Sequence, residues 1–143
     1  MGKEIFDSSS DWVADHIKRY VATNGEDGHE WNGTQILLIT TTGRQSGKLR
    51  RSALIYGRDG DDYVIVGSRG GHSHHPSWYL NLDADPNVTL QVKGDVFSAV
   101  ASTIEDKSDY QRLWDVMLTH WPAYAEYQEK TSRRIPLVRL RRA

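Results

Sequence analysis

A chain of 143 residues with no cysteine and a formal net charge of −1 is long enough for one buried core and excludes disulfides, thiolate metal sites and a cysteine nucleophile. Near-neutral charge argues against general affinity for nucleic acid, so a local cluster of cations must serve a local ligand. The opening residues, 1–7, turn polar at once and no apolar run approaches bilayer length, so the expected location is cytoplasmic.

A helix comes first. Asp7-Ser8-Ser9-Ser10 offers capping groups, and Trp12, Val13, Ile17, Tyr20 and Val21 follow at helical spacing. The glycine-punctuated stretch 24–28 ends it. Ile36-Leu37-Leu38-Ile39 reads as a buried strand over 35–41, and a second strand spans 50–57. Asp59-Gly60 signals a hairpin into a third strand over 62–68. The loop 69–76 leads to Pro76, which suits the first turn of a helix over 77–82. Strands over 88–92 and 96–104 follow, joined by a tight turn at 93–95. Ser108 or Asp109 is expected to cap a helix carrying Tyr110, Leu113, Trp114, Met117 and Leu118, and a further helical turn follows Pro122. The alternation from Val138 predicts a last strand. Its basic end, Arg139 to Arg142, reads as a charged edge that deters pairing. Six mainly antiparallel strands with terminal helices predict an α+β fold built on a small barrel.

Between the first two strands, Arg44, Lys48, Arg50 and Arg51 crowd around Gly43 and Gly47. Glycines let a backbone turn and present its N–H groups, and guanidinium groups beside them make a cradle for phosphate or carboxylate. The same cluster also fits a solvated hairpin tip. An anion site held on a sheet points to a phosphorylated cofactor. Five tryptophans and seven tyrosines suit a flat aromatic ligand as well as an ordinary core. Tyr124 and Tyr127, three apart on a predicted helix, share a face, which serves core packing or a ligand wall equally. His72, His74 and His75 sit in a glycine-rich loop with no carboxylate between residues 69 and 76, so no metal is expected there.

Leu38-Ile39-Thr40-Thr41-Thr42-Gly43-Arg44, Ser46-Gly47, Arg50, Gly67-Ser68-Arg69-Gly70-Gly71 and His75-Pro76-Ser77-Trp78-Tyr79-Leu80-Asn81-Leu82 resemble, in order and spacing, the deazaflavin-dependent nitroreductase family of actinobacteria. The likeness continues through Asp85-Pro86-Asn87-Val88 and more loosely through Trp121 to Tyr124 and Arg134 to Pro136, covering about residues 33–138. The resemblance implies a six-stranded split β-barrel of the FMN-binding, flavin-reductase type. The whole chain, 1–143, is then one domain, with 1–32 an N-terminal helix and loop and 33–143 the cofactor-binding barrel. It also implies coenzyme F420, a deazaflavin with a phosphodiester-linked oligoglutamate tail, whose reduced form acts as a hydride donor. The acceptor is then a small electrophile: a quinone, an α,β-unsaturated carbonyl or a nitroaromatic.

Carried over residue by residue, the resemblance places Arg44, Gln45, Ser46 and Arg50 at the anionic tail, and Arg51, Ser52, Ala53, Leu54 and Ile55 along the cofactor. Val66, Gly67, Ser68 and Arg69 are expected to border the ring, with Arg69 turned back toward the phosphate. Ser77, Trp78, Tyr79, Leu80 and Asn81 close the other side. Ser68, Tyr124 and Tyr127 are the expected catalytic residues, with Tyr124 also touching the deazaflavin; His75 is expected to cap the helix or contact the cofactor. Gln45 stands where the family often has lysine, Ala53 where proline is common, and Trp121 where a tyrosine often lines the substrate pocket. Three other readings stand beside this one: an FMN-binding reductase on the same barrel, a non-catalytic F420 carrier, and a polyanion-binding module. The N-terminal helix is open to covering the barrel, a dimer contact, or touching the inner face of a membrane that holds a lipid quinone. Its Asp11, Asp15, Lys18 and Arg19 give that last role no support. Monomer and homodimer both fit the sequence.

Overall fold

The computed structural model describes residues 4–143; Met1, Gly2 and Lys3, read above as part of a polar opening, lie outside the described residues. The strands are β1 (Ile5–Asp7), β2 (Glu30–Trp31), β3 (Thr34–Thr42), β4 (Leu49–Ile55), β5 (Gly57–Asp59), β6 (Asp62–Val66), β7 (Asn87–Val92), β8 (Asp95–Thr103) and β9 (Leu137–Arg142). The α-helices are α1 (Asp11–Thr23), α2 (Ser77–Ala84), α3 (Lys107–His120) and α4 (Tyr124–Glu129). Helix α3 is capped by Asp106, whose carboxylate accepts from the Asp109 N–H at 3.0 Å, rather than by Ser108 or Asp109.

The fold is α+β, on one large sheet with the order β1-β4-β3-β7-β8-β9-β6-β5, and β2 pairs with β3 at the side. The six expected strands correspond to β3, β4, β6, β7, β8 and β9. Three further strands, β1, β2 and β5, are only two or three residues long, and the hydrogen-bonded order runs from β1 to β5 without closing. All pairings are antiparallel except β1 with β4, where Asp7 pairs with Arg51.

Alternation along the strands builds three cores. Leu37 and Ile39 of β3, Tyr63 and Ile65 of β6, and Val138 and Leu140 of β9 enter one cluster with Leu90, Phe97 and Leu82. Strands β3 and β6 stand far apart in the sheet order, so sharing this core requires the sheet to curl over it. The opposite face of β3, Ile36 and Leu38, packs on Ile17 and Tyr20 of α1. That of β6, Val64 and Val66, packs on Leu113 and Met117 of α3 and on Tyr124.

Strand β9 corrects the expectation of an exposed edge. It lies between β8 and β6, and its cations are paired: Arg139 with Asp59 and Asp62, Arg141 with Asp62, and Arg142 with Asp95.

Candidate functional site

The hairpin between β3 and β4 is closed by its own backbone. Gly43 N–H donates to the Lys48 carbonyl at 2.7 Å and Gly47 N–H to the Gly43 carbonyl at 2.8 Å. Lys48 N–H donates to Ser46 Oγ, and Arg44 N–H to Asn81 Oδ1. Those four N–H groups are therefore spent inside the protein, which leaves the side chains and the N–H groups of Gln45 and Ser46 to form an anion cradle. Arg44 is aimed by α2: its Nη1 donates to Asn81 Oδ1 at 2.8 Å and to the Ser77 carbonyl at 3.4 Å. Asn81 is buried and anchored in turn by donating Nδ2 to Thr41 Oγ1, so the guanidinium is held by a fixed partner rather than swinging free.

Around it lies a cavity of about 480 Å3 that takes in Arg44, Gln45, Ser46, Arg50, Arg51, Ser52, Ser77, Trp78 and Asn81. Among the described residues its only carboxylate is Asp7, which accepts from Arg51 Nε at 2.6 Å. Arg51 is thus countered, and Arg44 and Arg50 keep an uncompensated positive field. The Arg50 guanidinium and the Lys48 ammonium both lie over the Phe6 ring, at 5.5 and 5.1 Å from its centroid. Strand β1 and the turn after it thus supply Phe6, Asp7, Ser8 and Ser9 to a site whose other parts lie more than 30 residues further along the chain.

Trp78 is shared with a second cavity, of about 360 Å3, lined by Ala53, Leu54, Ile55, Val66, Ser68, Arg69, Tyr124 and Tyr127. No carboxylate among the described residues lines it. Trp12, Val13, His16, Trp31, Ile36 and Trp121 complete the wall, so four of the five tryptophans face this space. The rings are in contact: Trp12 stacks on Trp31 at 6.0 Å, Trp31 meets Trp121 at 5.3 Å, and Trp121 Nε1 donates to Tyr127 Oη at 3.3 Å. Tyr124 meets Tyr127 edge-on at 6.1 Å. Burial pushes the Tyr124 phenol well above its ordinary range, with the nearby Tyr127 adding to the effect.

Three of the expected site residues line neither cavity. Tyr79 turns into the sheet core, where its hydroxyl bonds Thr103 Oγ1 at 2.9 Å, and Leu80 packs against the same core. Both follow from the pitch of α2, which turns Ser77, Trp78 and Asn81 to one side and their neighbours to the other. Gly67 is walled in by Pro136, which would lie 2.7 Å from an added Cβ. Arg69 lines the aromatic cavity rather than the cationic one, so it does not turn back toward Arg44.

The segment 68–75 is held from outside. Arg69, Gly70 and Gly71 all have positive φ, of 46°, 61° and 85°. At Gly71 an added Cβ would sit 2.7 Å from the Tyr127 carbonyl, which leaves glycine as the residue that fits. Arg133 clamps this turn: Nε donates to the His72 carbonyl at 2.8 Å, Nη1 to the Gly67 carbonyl at 3.1 Å and Nη2 to the Ser68 carbonyl at 2.7 Å. Its Nη1 also lies 3.0 Å from His75 Nδ1. Burial pushes the His75 imidazole below its ordinary value, with Arg133 adding to it, so His75 stays neutral and accepts. His75 serves Arg133 rather than the start of α2, whose cap is Pro76. His72 and His74 are exposed, with the His74 N–H bonded to His72 Nδ1.

Trp12, His16, Trp31 and Arg133 were missed as site residues. Trp12 was visible as an aromatic at the start of an amphipathic helix, but nothing local points it at Trp31.

The family model described as F420H(2)-dependent quinone reductase matches residues 12–141. The F420H(2)-dependent quinone reductase of Mycobacterium tuberculosis is 41% identical over 130 residues, covering 89% of this chain and 87% of the relative. A protein of Mycobacterium bovis with the same description in putative form matches to the same extent. Among solved structures, an F420-H2 dependent reductase, FDR-A, is similar with a TM-score of 0.67 and 39% identity, over 73% of this chain and 92% of that one. A domain-swapped dimer aligns with a TM-score of 0.70 and 36% identity, over 93% of this chain and 99% of that one.

Proposed function

The chain belongs to the F420H(2)-dependent quinone reductase family, and on that premise we propose that the two cavities meeting at Trp78 hold reduced F420 beside a quinone-type acceptor. The observation that carries this reading is the pairing of opposite chemistries: a cationic cavity and an aromatic one, the latter lined by no carboxylate among the described residues, share one tryptophan in their walls. An anionic tail and a flat ring system joined in one molecule match that sequence of surfaces. When bound, reduced F420 supplies a hydride, two electrons at once.

Arg44 and Arg50 hold the tail's phosphate and carboxylates, and Asn81 keeps Arg44 aimed. Ala53, Leu54, Ile55 and Val66 give the ring an apolar bed, and Trp78 separates ring from tail. Ser68 stands at the strand end beside the ring, and the tryptophans keep water from the reacting faces. Tyr124 and Tyr127 orient the acceptor. Indole N–H can only donate, so Tyr127 Oη accepts from Trp121 and keeps its own proton to give. With its raised pKa Tyr124 remains a neutral phenol, suited to donating a hydrogen bond to an oxygen that gains charge.

The same reading takes the six long strands as a split barrel curled over the inner core, forming one domain. It takes the protein as cytoplasmic and its assembly as a homodimer, as in the domain-swapped neighbour; enones and nitroaromatics are further acceptors. No helix of the described residues is long and apolar enough to cross a membrane.

Mixing the protein with reduced F420 and menadione restores the deazaflavin absorbance on this reading. Arg44→Ala weakens F420 binding, followed by fluorescence, about tenfold or more, as expected when a charge-assisted contact is removed. Absence of both effects would rule the reading out.

A further inference from the structure

Reduction of a quinone needs a proton as well as a hydride: quinone plus hydride plus proton gives the hydroquinone. The ionisable groups among the described residues of the aromatic cavity are His16, Arg69, Tyr124 and Tyr127. An arginine does not deprotonate in proteins, and burial makes Tyr124 a poor proton source. That leaves Tyr127 and His16, and the geometry around His16 is the more specific of the two.

His16 stands on α1, 7% exposed, with Nε2 2.8 Å from the Gly28 carbonyl. A carbonyl can only accept, so Nε2 carries a proton in both charge states and Nδ1 is the nitrogen that gains and loses one. Among the described residues Nδ1 has no hydrogen-bond partner, and no fully enclosed side-chain nitrogen is left without one. Nδ1 is therefore not fully enclosed, and His16 is among the residues that line the aromatic cavity. The titratable and charged groups around it are Tyr20 one turn on, the exposed Asp15–Arg19–Asp27 chain, His29 bonded to Tyr56, and Arg69, Tyr124 and Tyr127 across the cavity.

Resting on the reading above, we propose that His16 is a catalytic residue, the general acid that protonates the acceptor quinone. The hydride brings both electrons to the quinone and leaves reduced F420 oxidised by two. The Nδ1–H bond of the imidazolium breaks and an O–H bond forms on the oxygen that has become anionic. The imidazole left behind is the neutral Nε2–H form, already bonded to Gly28, so the ring neither flips nor loses its anchor. Solvent then restores the Nδ1 proton.

Nitrogen-15 NMR of the imidazole in the cofactor-free wild type tests the geometry without turnover. The neutral ring is expected to bear its proton on Nε2, and menadione is expected to shift the Nδ1 resonance. A ring protonated on Nδ1, or an Nδ1 resonance indifferent to menadione, overturns the proposal even if variants fail to fold. In kinetics, kcat for menadione at saturating reduced F420 falls as pH rises, because only the protonated acid donates. His16→Gln, whose amide can still donate to Gly28, abolishes that limb and lowers kcat about 100-fold. F420 affinity by fluorescence is unchanged in the variant. Wild-type kcat with the same limb in His16→Gln refutes the acid role and leaves F420-dependent reduction standing. A wild type unable to oxidise reduced F420 with menadione removes both.

Discussion

Arg133 makes its hydrogen bonds to three backbone carbonyls and one neutral imidazole, with no carboxylate partner among the described residues. Such a cation is retained for its shape: a planar fork reaches several acceptors at fixed angles, which a single ammonium cannot. The carbonyls it gathers belong to Gly67, Ser68 and His72, and between them the chain turns through three successive residues of positive φ. A non-glycine residue in that conformation, here Arg69, persists only when its surroundings impose it. Arg133→Lys is therefore expected to be almost as damaging as Arg133→Ala, each costing about 2–3 kcal/mol in urea unfolding. Both variants should lose menadione turnover beyond what the stability loss explains, because Ser68 and Arg69 lose their setting. A lysine variant with wild-type stability and kcat would show that the fork is dispensable.

Besides its packing on β3, helix α1 is fastened to the sheet by the Tyr20 hydroxyl. Tyr20 Oη accepts the Lys93 N–H at 2.7 Å and lies 3.0 Å from the Ile36 carbonyl, tying the helix to β3 and to the β7–β8 turn. Tyr20→Phe keeps the buried ring and removes these bonds together with the longer one to the Gln91 carbonyl at 3.4 Å, at a cost of about 1–3 kcal/mol. The helix carries Trp12, Val13 and His16 to the aromatic cavity but contributes nothing to the cationic one. The variant should thus raise the menadione KM roughly threefold to tenfold while leaving F420 affinity alone. Equal losses in both would mean that α1 supports the whole site. The same helix shows what an element reveals in sequence. Its apolar spacing was plain, and so was the unbroken run 36–39, whose two faces are both covered, one by α1 and one by the sheet core. Strands β1 and β2, of three and two residues, are too short to carry any period, and they were invisible.

For the molecule as a whole, legibility follows contiguity. Residues 44–55, 66–69 and 77–81 read as site segments because each is one uninterrupted stretch. The aromatic wall is assembled from positions 12, 16, 31 and 121, which meet only when α1, β2 and the α3–α4 connection pack together. The basic end of the chain was misread for the same reason, since its partners lie 47 to 80 positions earlier. Asp59 of β5 accepts from Arg112 of α3 and Arg139 of β9, and Asp62 of β6 accepts from Arg139 and Arg141. This cluster joins the last hairpin in the sheet order to a core strand and a helix, and it sets an acid limit on the fold. Hydrogen bonds from Arg112 and Arg139 hold the Asp59 carboxyl well below its ordinary range, and Arg141, with Arg139, does the same for Asp62. A carboxyl lowered on folding stabilises fully above its unfolded value, about 3.9, and that contribution disappears as pH falls through this value toward the folded one. Stability should therefore hold near neutral pH and drop between about pH 5 and pH 3. Asp59→Asn removes the charge at every pH, so its Tm should lie roughly 3–6 °C below wild type at pH 7. The gap should begin to narrow below about pH 4, where the carboxyl of the unfolded wild-type chain takes up a proton while the folded one keeps its charge. Thermal melts of both proteins across that range test it: a gap that stays constant down to pH 3 would mean that packing, not ionisation, is what Asp59 contributes.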